Sequence, residues 1–258
     1  DGDVITVIPK DFNIKAALDC NESGSTLRFL LPLVSALGID ATIKGSGRLP
    51  QRPISPLKEE MEKKGVTFHT DNVFPLHLTG QLQSGEYEMK GNVSSQFITG
   101  LLMALPLLDG DSKIKLIPPV ESKSYLDITV SVLKKFGIKI EEQENTYIIE
   151  GNQQFISPKE ITAQGDWSNA SFFLCAGALS EKGVTVTDLQ VNSPQGDKKI
   201  LEVLSSMGAD VKISGNEITV KKNKLNGITV DASDIPDAVP IISVVASAGN
   251  GDTEIINA

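Results

Sequence analysis

The sequence repeats itself. Three segments, each opening on a glycine, read as hairpins: Gly65–Gly80, Gly137–Gly151 and Gly208–Lys222. Their glycines are 72 and 71 residues apart, and Asn72, Asn145 and Asn216 hold matching turn positions, spaced by 73 and 71. A glycine just past a helix fits the left-handed backbone on which many helices end, and asparagine fits a tight turn between two strands. A period of this length means stacked supersecondary units, each unable to bury its apolar face alone.

Two helical stretches and a strand precede each hairpin. In the first unit Leu27, Leu30, Leu31, Val34 and Leu37 recur at helical spacing, and Ala41–Lys44 reads as a strand. A second helix carries Ile54, Leu57 and Met61, with Pro53 in its first turn. The second unit has Phe97, Leu101, Leu105 and Leu108, then Ile114–Ile117, then Leu126, Val130 and Leu133. The third has Phe172–Leu179, Val184–Val186, then Ile200, Leu204 and Met207. Each unit therefore reads βαβαββ, with one partly polar face per helix. A strand–helix–strand step calls for a parallel crossover, while a hairpin adds antiparallel pairing. The expected class is α/β, built from repeated βαβαββ units with mixed parallel and antiparallel sheets. The opening strand GDVITVIPK, with Asp3 in turn register, and a closing strand, Asp237–Ser247 helix and Thr253–Ile256 strand both read as partial units. The expectation is a longer natural protein, extending on both sides.

A net charge of −9 argues against general attraction to nucleic acid or anionic lipid, although a small anionic substrate feels only local donors. Aromatic residues make up 5% of the chain, so the core must be mostly aliphatic. Cys20 and Cys175 form neither a disulfide framework nor a metal spacing, and Cys175 reads as a small core residue. His69 and His77 read as surface or edge residues of one hairpin. No apolar run is long enough to span a bilayer, and no nucleotide-binding glycine fingerprint or P-loop occurs.

Small hydroxyl residues cluster before helices: Ser23–Thr26, Ser94–Gln96, Ser122–Tyr125 and Ser168–Asn169. Helix starts offer unpaired N–H groups and a positive dipole end, to which serine hydroxyls can add donors for a phosphate. The same serines can simply cap. Arg48 and Arg52 lie in a glycine-containing loop, Gly45–Pro53, where their planar forks suit a carboxylate or phosphate, or else make surface salt bridges. Ser233–Ala238 reads as an ordinary helix start, with a cap, Pro236 in the first turn and Asp237 as a first-turn carboxylate; Asp237 could instead accept a proton from a substrate hydroxyl. Asp166 carries the same two readings, of which capping is the simpler.

Taken in order, these segments resemble one family. Glu22–Phe29 (ESGSTLRF) is similar to its small-residue–Gly–Thr–x–x–Arg helix start, Gly45–Pro53 to its arginine loop, and Val93–Phe97 (VSSQF) to its Ser-Ser-Gln motif. Ser122 and Tyr125 fall in a segment like its next substrate loop, and Asp234–Ala238 (DIPDA) matches the stretch bearing its catalytic aspartate. The family is 5-enolpyruvylshikimate-3-phosphate (EPSP) synthase, and the motifs cover nearly the whole chain. The resemblance implies a two-domain enolpyruvyl-transferase fold, here partial, with residues 1–163 forming most of one domain and 164–258 part of the other. It implies that Ser94, Ser95 and Ser122 bind the phosphate of shikimate 3-phosphate, that Gln96 contacts substrate and that Tyr125 lines the pocket. Arg48 and the backbone near Gly24 would meet phosphoenolpyruvate, in the place for which the inhibitor glyphosate competes. Asp237 would take the proton of the shikimate 5-hydroxyl. No metal or organic cofactor is implied, and the expected protein is a cytoplasmic monomer that binds neither nucleic acid nor membrane. A family lysine segment would precede Asp1, and its later Glu, Arg and Lys residues would follow Ala258, so the 258 residues alone are not expected to turn over. Rival readings are UDP-N-acetylglucosamine enolpyruvyl transferase, whose loop cysteine has no counterpart near Arg48, an RNA 3′-phosphate cyclase, and a non-catalytic repeat module.

Overall fold

In the first unit, β1 (Lys15–Asp19), α1 (Gly24–Ala36) and β2 (Asp40–Lys44) form a strand–helix–strand step, and α2 (Leu57–Lys63) leads into the hairpin β3 (Val66–Phe68) and β4 (Leu76–Gly80). The second unit repeats this with β5 (Glu86–Lys90), α3 (Ser95–Ala104), β6 (Ser112–Ile117), α4 (Lys123–Lys135), β7 (Ile140–Gln143) and β8 (Thr146–Ile149). The third has α5 (Trp167–Leu179), β9 (Val184–Val186), α6 (Ile200–Met207), β10 (Asp210–Ser214) and β11 (Glu217–Lys221); β12 (Thr229–Asp231), α7 (Val239–Ala246) and β13 (Glu254–Ile256) follow. This computed structural model describes Ile8, residues 13–70 and residues 73–258; the opening strand apart from Ile8, the turn position Asp3 and the turn at Asn72 lie outside the described residues.

The sheets carry the repeat in their strand order, β1-β2-β4-β3 and β5-β6-β8-β7. The expected mixture of directions holds. β1 and β2 are parallel, as are β12 and β13, while β3–β4, β7–β8 and β10–β11 are antiparallel hairpins. The third unit keeps β9-β11-β10 from the same scheme, but no strand precedes α5 among the described residues, which corrects the βαβαββ expectation there. Pro158 cannot donate to a ladder, Asn152 and Lys159 have φ of 55° and 68°, and Ile156 N donates to Phe136 O, the C-cap residue of α4, at 2.8 Å.

The three glycines after helices have φ of 92° (Gly65), 81° (Gly137) and 106° (Gly208), the left-handed conformation their positions predict. In the two-residue turns, however, the left-handed residues are Glu144 (φ 47°) and Gly215 (φ 59°), one place before the asparagines, so the turn bends at its first central residue. One helix start and one helix end also differ from expectation. Pro53 and Ile54 precede α2, whose flanking cap residue is Pro56. Leu108 lies beyond α3, because Pro106 turns the chain into a 3-10 turn at Leu105–Leu107.

Most of the apolar positions read from the sequence are buried, although Leu30 and Leu37 are half-buried and Ile117 is exposed. Leu27, Leu31, Leu57, Met61, Phe97 and Leu101 are core residues, as are Leu126, Val130 and Leu133. Around α5 the core gathers Trp167, Leu174, Cys175, Ile200, Leu204, Met207, Ile218 and Val220. The outward side of α5 is not polar as expected: Phe172 and Phe173 are 47% and 62% exposed. Where α1 and α3 meet, Gly100 permits close approach, because a Cβ there would stand 2.4 Å from Arg28 O. Gly100→Ala is therefore expected to lower the urea midpoint. Overpacking costs roughly 1–3 kcal/mol, against about 1 kcal/mol gained in helix propensity. A midpoint at or above that of the parent chain would contradict this packing.

The chain gathers into two compact units. One holds the described residues up to Met89 with 96–115 and 140–154; the other holds Lys90–Ser95, Leu116–Lys139 and Phe155–Ala258. A cut near residue 163 does not describe these units, since α4 and the 90–95 segment pack with the chain that follows residue 154. Among the described residues no helix is long and apolar enough to cross a membrane.

Candidate functional site

The sequence-derived site residues divide between the units. Ser94, Ser95, Ser122, Tyr125 and Asp237 belong to the second, and Gly24, Arg48 and Gln96 to the first.

In the second unit, the segment before α3 is tied to the segment before α4: Gly91 N donates to Ile117 O at 3.0 Å, and Glu121 N donates to Gly91 O at 3.1 Å. These bonds bring the Ser94–Ser95 loop beside the one that bears Ser122. Ser122 flanks α4 with φ 54° and ψ 34°, and its side chain makes no capping bond. A serine in the left-handed region whose hydroxyl does not cap departs from the plain reading of Ser122 as a cap. By contrast Ser23 does cap α1, accepting from Thr26 N at 3.2 Å.

One turn into α4, the Tyr125 hydroxyl donates to Asp237 Oδ2 at 2.8 Å, across 112 residues of sequence. Burial first, then this bond and the nearby carboxylates of Asp197, Asp237 and Asp166, push the phenol well above its ordinary range. Tyr125 therefore stays a donor at any physiological pH. Asp237 is exposed, in a 3-10 turn (Pro236–Ala238) just before α7. The expected cap by Ser233 or Asp234 is not made. The flanking residue is Ile235, which makes no side-chain cap, and Ser233 N donates to Asp231 Oδ1 instead. Asp237 is thus engaged by Tyr125 through one oxygen and is otherwise an exposed residue. Asp166 caps α5 as expected, accepting from Ser168 N at 3.0 Å and from Gln195 Nε2 at 2.8 Å.

Sequence reasoning missed Asp197. It lies in the 3-10 turn Gly196–Lys199 and is 1% exposed. An aspartate in a first turn is ordinary, and nothing local marks this one as buried. A groove of about 390 Å³ in the same unit, lined by Ile128, Val132, Lys135, Ile161 and Gln195, includes neither Tyr125 nor Asp237.

In the first unit, Gly24 begins α1 and is buried. A Cβ on Gly24 would stand 2.9 Å from Arg52 Nη1, so the absent side chain makes room for that guanidinium. Arg28, which was not singled out as a site residue, donates to Gln96 Oε1 at 2.7 Å and stands 5.0 Å from the centre of the Phe97 ring. Burial, then Arg52, lowers the Arg28 guanidinium from its usual value. Among the described residues Arg28, Arg48 and Arg52 form no salt bridge, contrary to the surface-pair reading of the loop arginines. The loop is also partly regular, with Arg48 and Arg52 flanking a 3-10 turn at Leu49–Gln51. Arginines without carboxylate partners, beside a helix start, make an anion-accepting corner.

The remaining residues are structural. His69 and His77 stack at 4.6 Å on the hairpin, with His69 bonded to Thr79 and His77 to Asp40. Cys175 is buried, and its thiol is pushed up to about 12 by burial. No group of His, Cys, Asp or Glu suited to a metal ion occurs among the described residues.

The family model for EPSP synthase (3-phosphoshikimate 1-carboxyvinyltransferase) matches residues 1–258. The chain belongs to the EPSP synthase family. Relatives named 3-phosphoshikimate 1-carboxyvinyltransferase include one from Clostridium novyi (strain NT), 46% identical over 243 residues, with 93% of this chain and 55% of the relative covered. Another, from Clostridioides difficile (strain 630), is 43% identical over 246 residues, covering 95% of this chain and 56% of the relative. The chain thus spans about half the length of the curated relatives it matches. Two solved structures share the fold. EPSP synthase from Acinetobacter baumannii has a TM-score of 0.72 at 23% identity, covering 92% of this chain and 56% of that one. The enolpyruvyl transferase NikO from Streptomyces tendae has a TM-score of 0.70 at 22% identity, covering 88% of this chain and 55% of that one. The family membership supports the enolpyruvyl-transferase reading over the RNA cyclase and the non-catalytic module.

Proposed function

We propose that this chain is part of an enzyme that transfers the enolpyruvyl group of phosphoenolpyruvate to the 5-hydroxyl of shikimate 3-phosphate, with release of phosphate. Ser94, Ser95 and Ser122 would hold the phosphate of the acceptor, with Gln96 and Tyr125 against its ring. Arg48 and the backbone at Gly24 would meet phosphoenolpyruvate, and the Arg28–Gln96 bond keeps the Gln96 side chain oriented. Asp237 would accept the proton of the 5-hydroxyl as that oxygen bonds to C2 of phosphoenolpyruvate and C3 gains a proton. Loss of a C3 proton then breaks the C2–O bond to phosphate and leaves the enol ether. Such a reaction develops charge on carbon and oxygen together, so fixed donors and carboxylates suit it. The protein would work as a cytoplasmic monomer, without metal or organic cofactor.

The observation that carries this reading is the 2.8 Å bond from Tyr125 to Asp237, which joins two segments that each resemble a substrate segment of the family. The test is an assay of the complete enzyme with phosphoenolpyruvate and either shikimate 3-phosphate or UDP-N-acetylglucosamine. Phosphate release with the first acceptor alone is expected. Release with the nucleotide sugar alone would move the assignment to the other enolpyruvyl transferase, and release with neither would reject both.

A further inference from the structure

Neither carboxylate oxygen of Asp197 has a hydrogen-bond partner among the described residues, and Ser124 Oγ is buried and unpartnered as well. The two share one corner, because a Cβ on Gly196 would stand 2.7 Å from Ser124 Oγ. An ionised carboxylate without water or partners costs several kcal/mol, so a fold must either meet it with a cation or hold it neutral. The surrounding charges decide between these. On its own turn Lys198 donates to Ser193 O at 2.7 Å, and Lys199 lies 3.9 Å from Asp234. From other elements come Asp237 ahead of α7, Asp166 at the α5 cap, and Tyr125 of α4, whose hydroxyl is given to Asp237. The carboxylates bearing on Asp197 are Asp237 and Asp166, and among the described residues no cation pairs with it.

We propose that Asp197 is a positioning residue that works as a neutral carboxylic acid behind Asp237, so that one negative charge, not two, stands where the acceptor hydroxyl loses its proton. The proposal rests on the functional reading above. Burial, then Asp237, then Asp166 push the Asp197 carboxyl upward, and its own backbone amide acts the other way. A protonated carboxyl is also a donor, and Ser124 Oγ is an unpartnered acceptor beside the same turn. Once ionised, Asp197 would repel Asp237 and both anionic substrates, so activity should fall as pH rises through its titration.

The test compares wild type, Asp197→Asn and Asp197→Leu in the complete enzyme, by kcat/KM across pH and by thermal unfolding. Asparagine keeps the shape and the neutral state. It should hold kcat/KM within about threefold at neutral pH and remove the alkaline fall set by Asp197. Leucine keeps neutrality without polar groups and should lose about tenfold or more, which asparagine rescues. The stability sign follows from linkage. A carboxyl raised in the folded state stabilises fully below its unfolded value and loses that contribution as pH climbs toward the folded value. Asp197→Asn should therefore melt above the wild type at neutral pH, and the gap should close in acid. A loss of about 100-fold in Asp197→Asn, or a melting point below the wild type at neutral pH, would mean that the charged form is required and would overturn the proposal. Equal activity of the leucine and asparagine variants would remove the positioning role. If the wild type made no product, the functional reading would fail instead, and the melting comparison would still judge the charge of Asp197.

Discussion

Replacing Asp237 by alanine in the complete enzyme is expected to lower kcat by about 10²- to 10⁴-fold, the range over which a positioned general base contributes. Binding of shikimate 3-phosphate should change far less, because the serines proposed to hold its phosphate lie on other segments. Two features make the loss specific. Asp237 is exposed in a short turn and caps no helix, so its removal takes little from the fold. Its one described side-chain partner is the Tyr125 hydroxyl, whose proton burial and nearby carboxylates retain, so tyrosine cannot take over as the base. Asp237→Asn should fall as far as Asp237→Ala, since the amide keeps the shape but accepts no proton. The measurement is steady-state phosphate release over a range of both substrates. Turnover within a few-fold of wild type in either variant would assign Asp237 a role unrelated to catalysis.

The fold was legible where local chemistry and period agreed. Glycine past a helix, alternating apolar residues and a turn pair placed β7–β8 and β10–β11 to within a residue or two, and the helical spacing of Leu126, Val130 and Leu133 marked the buried face of α4. It failed where proline acts at a distance of one turn. Pro56 rather than Pro53 stands at the start of α2, and Pro106 ends α3 before Leu108. The missing strand ahead of α5 needed φ values at Asn152 and Lys159 that composition does not announce. In the site, capping chemistry was correctly read for Asp166, but Ser23 and Ser122 look alike in sequence and differ in the structure: one caps, the other turns left-handed with its hydroxyl off the helix. The roles proposed for Ser94, Ser122 and Asp237 came from family resemblance, not from their spacing. Arg28–Gln96 and Tyr125–Asp237 join residues 68 and 112 positions apart, and the carboxylates that bear on buried Asp197 lie at positions 166 and 237. No local signal carries such information.

The double variant Ser94→Ala/Ser95→Ala should raise the KM for shikimate 3-phosphate by about 100-fold or more, with kcat at saturation largely kept. Hydrogen bonds to a charged group contribute roughly 1.5–3 kcal/mol each, and tenfold in affinity is about 1.4 kcal/mol. Two lost hydroxyls therefore predict a combined effect on the order of 10²- to 10⁴-fold, with the lower end expected if backbone N–H groups at the start of α3 still hold the phosphate. The KM for phosphoenolpyruvate should stay near its original value, because its proposed contacts at Gly24 and Arg48 lie on other segments. Ser23→Ala is the matched control. That serine caps α1, so its loss should lower stability by about 1 kcal/mol and leave the affinity for shikimate 3-phosphate unchanged. The pair of experiments separates a serine that completes a helix from serines that complete a ligand. Were the double variant to lose stability as Ser23→Ala does while binding shikimate 3-phosphate normally, Ser94 and Ser95 would be caps, and the phosphate would have to be held elsewhere.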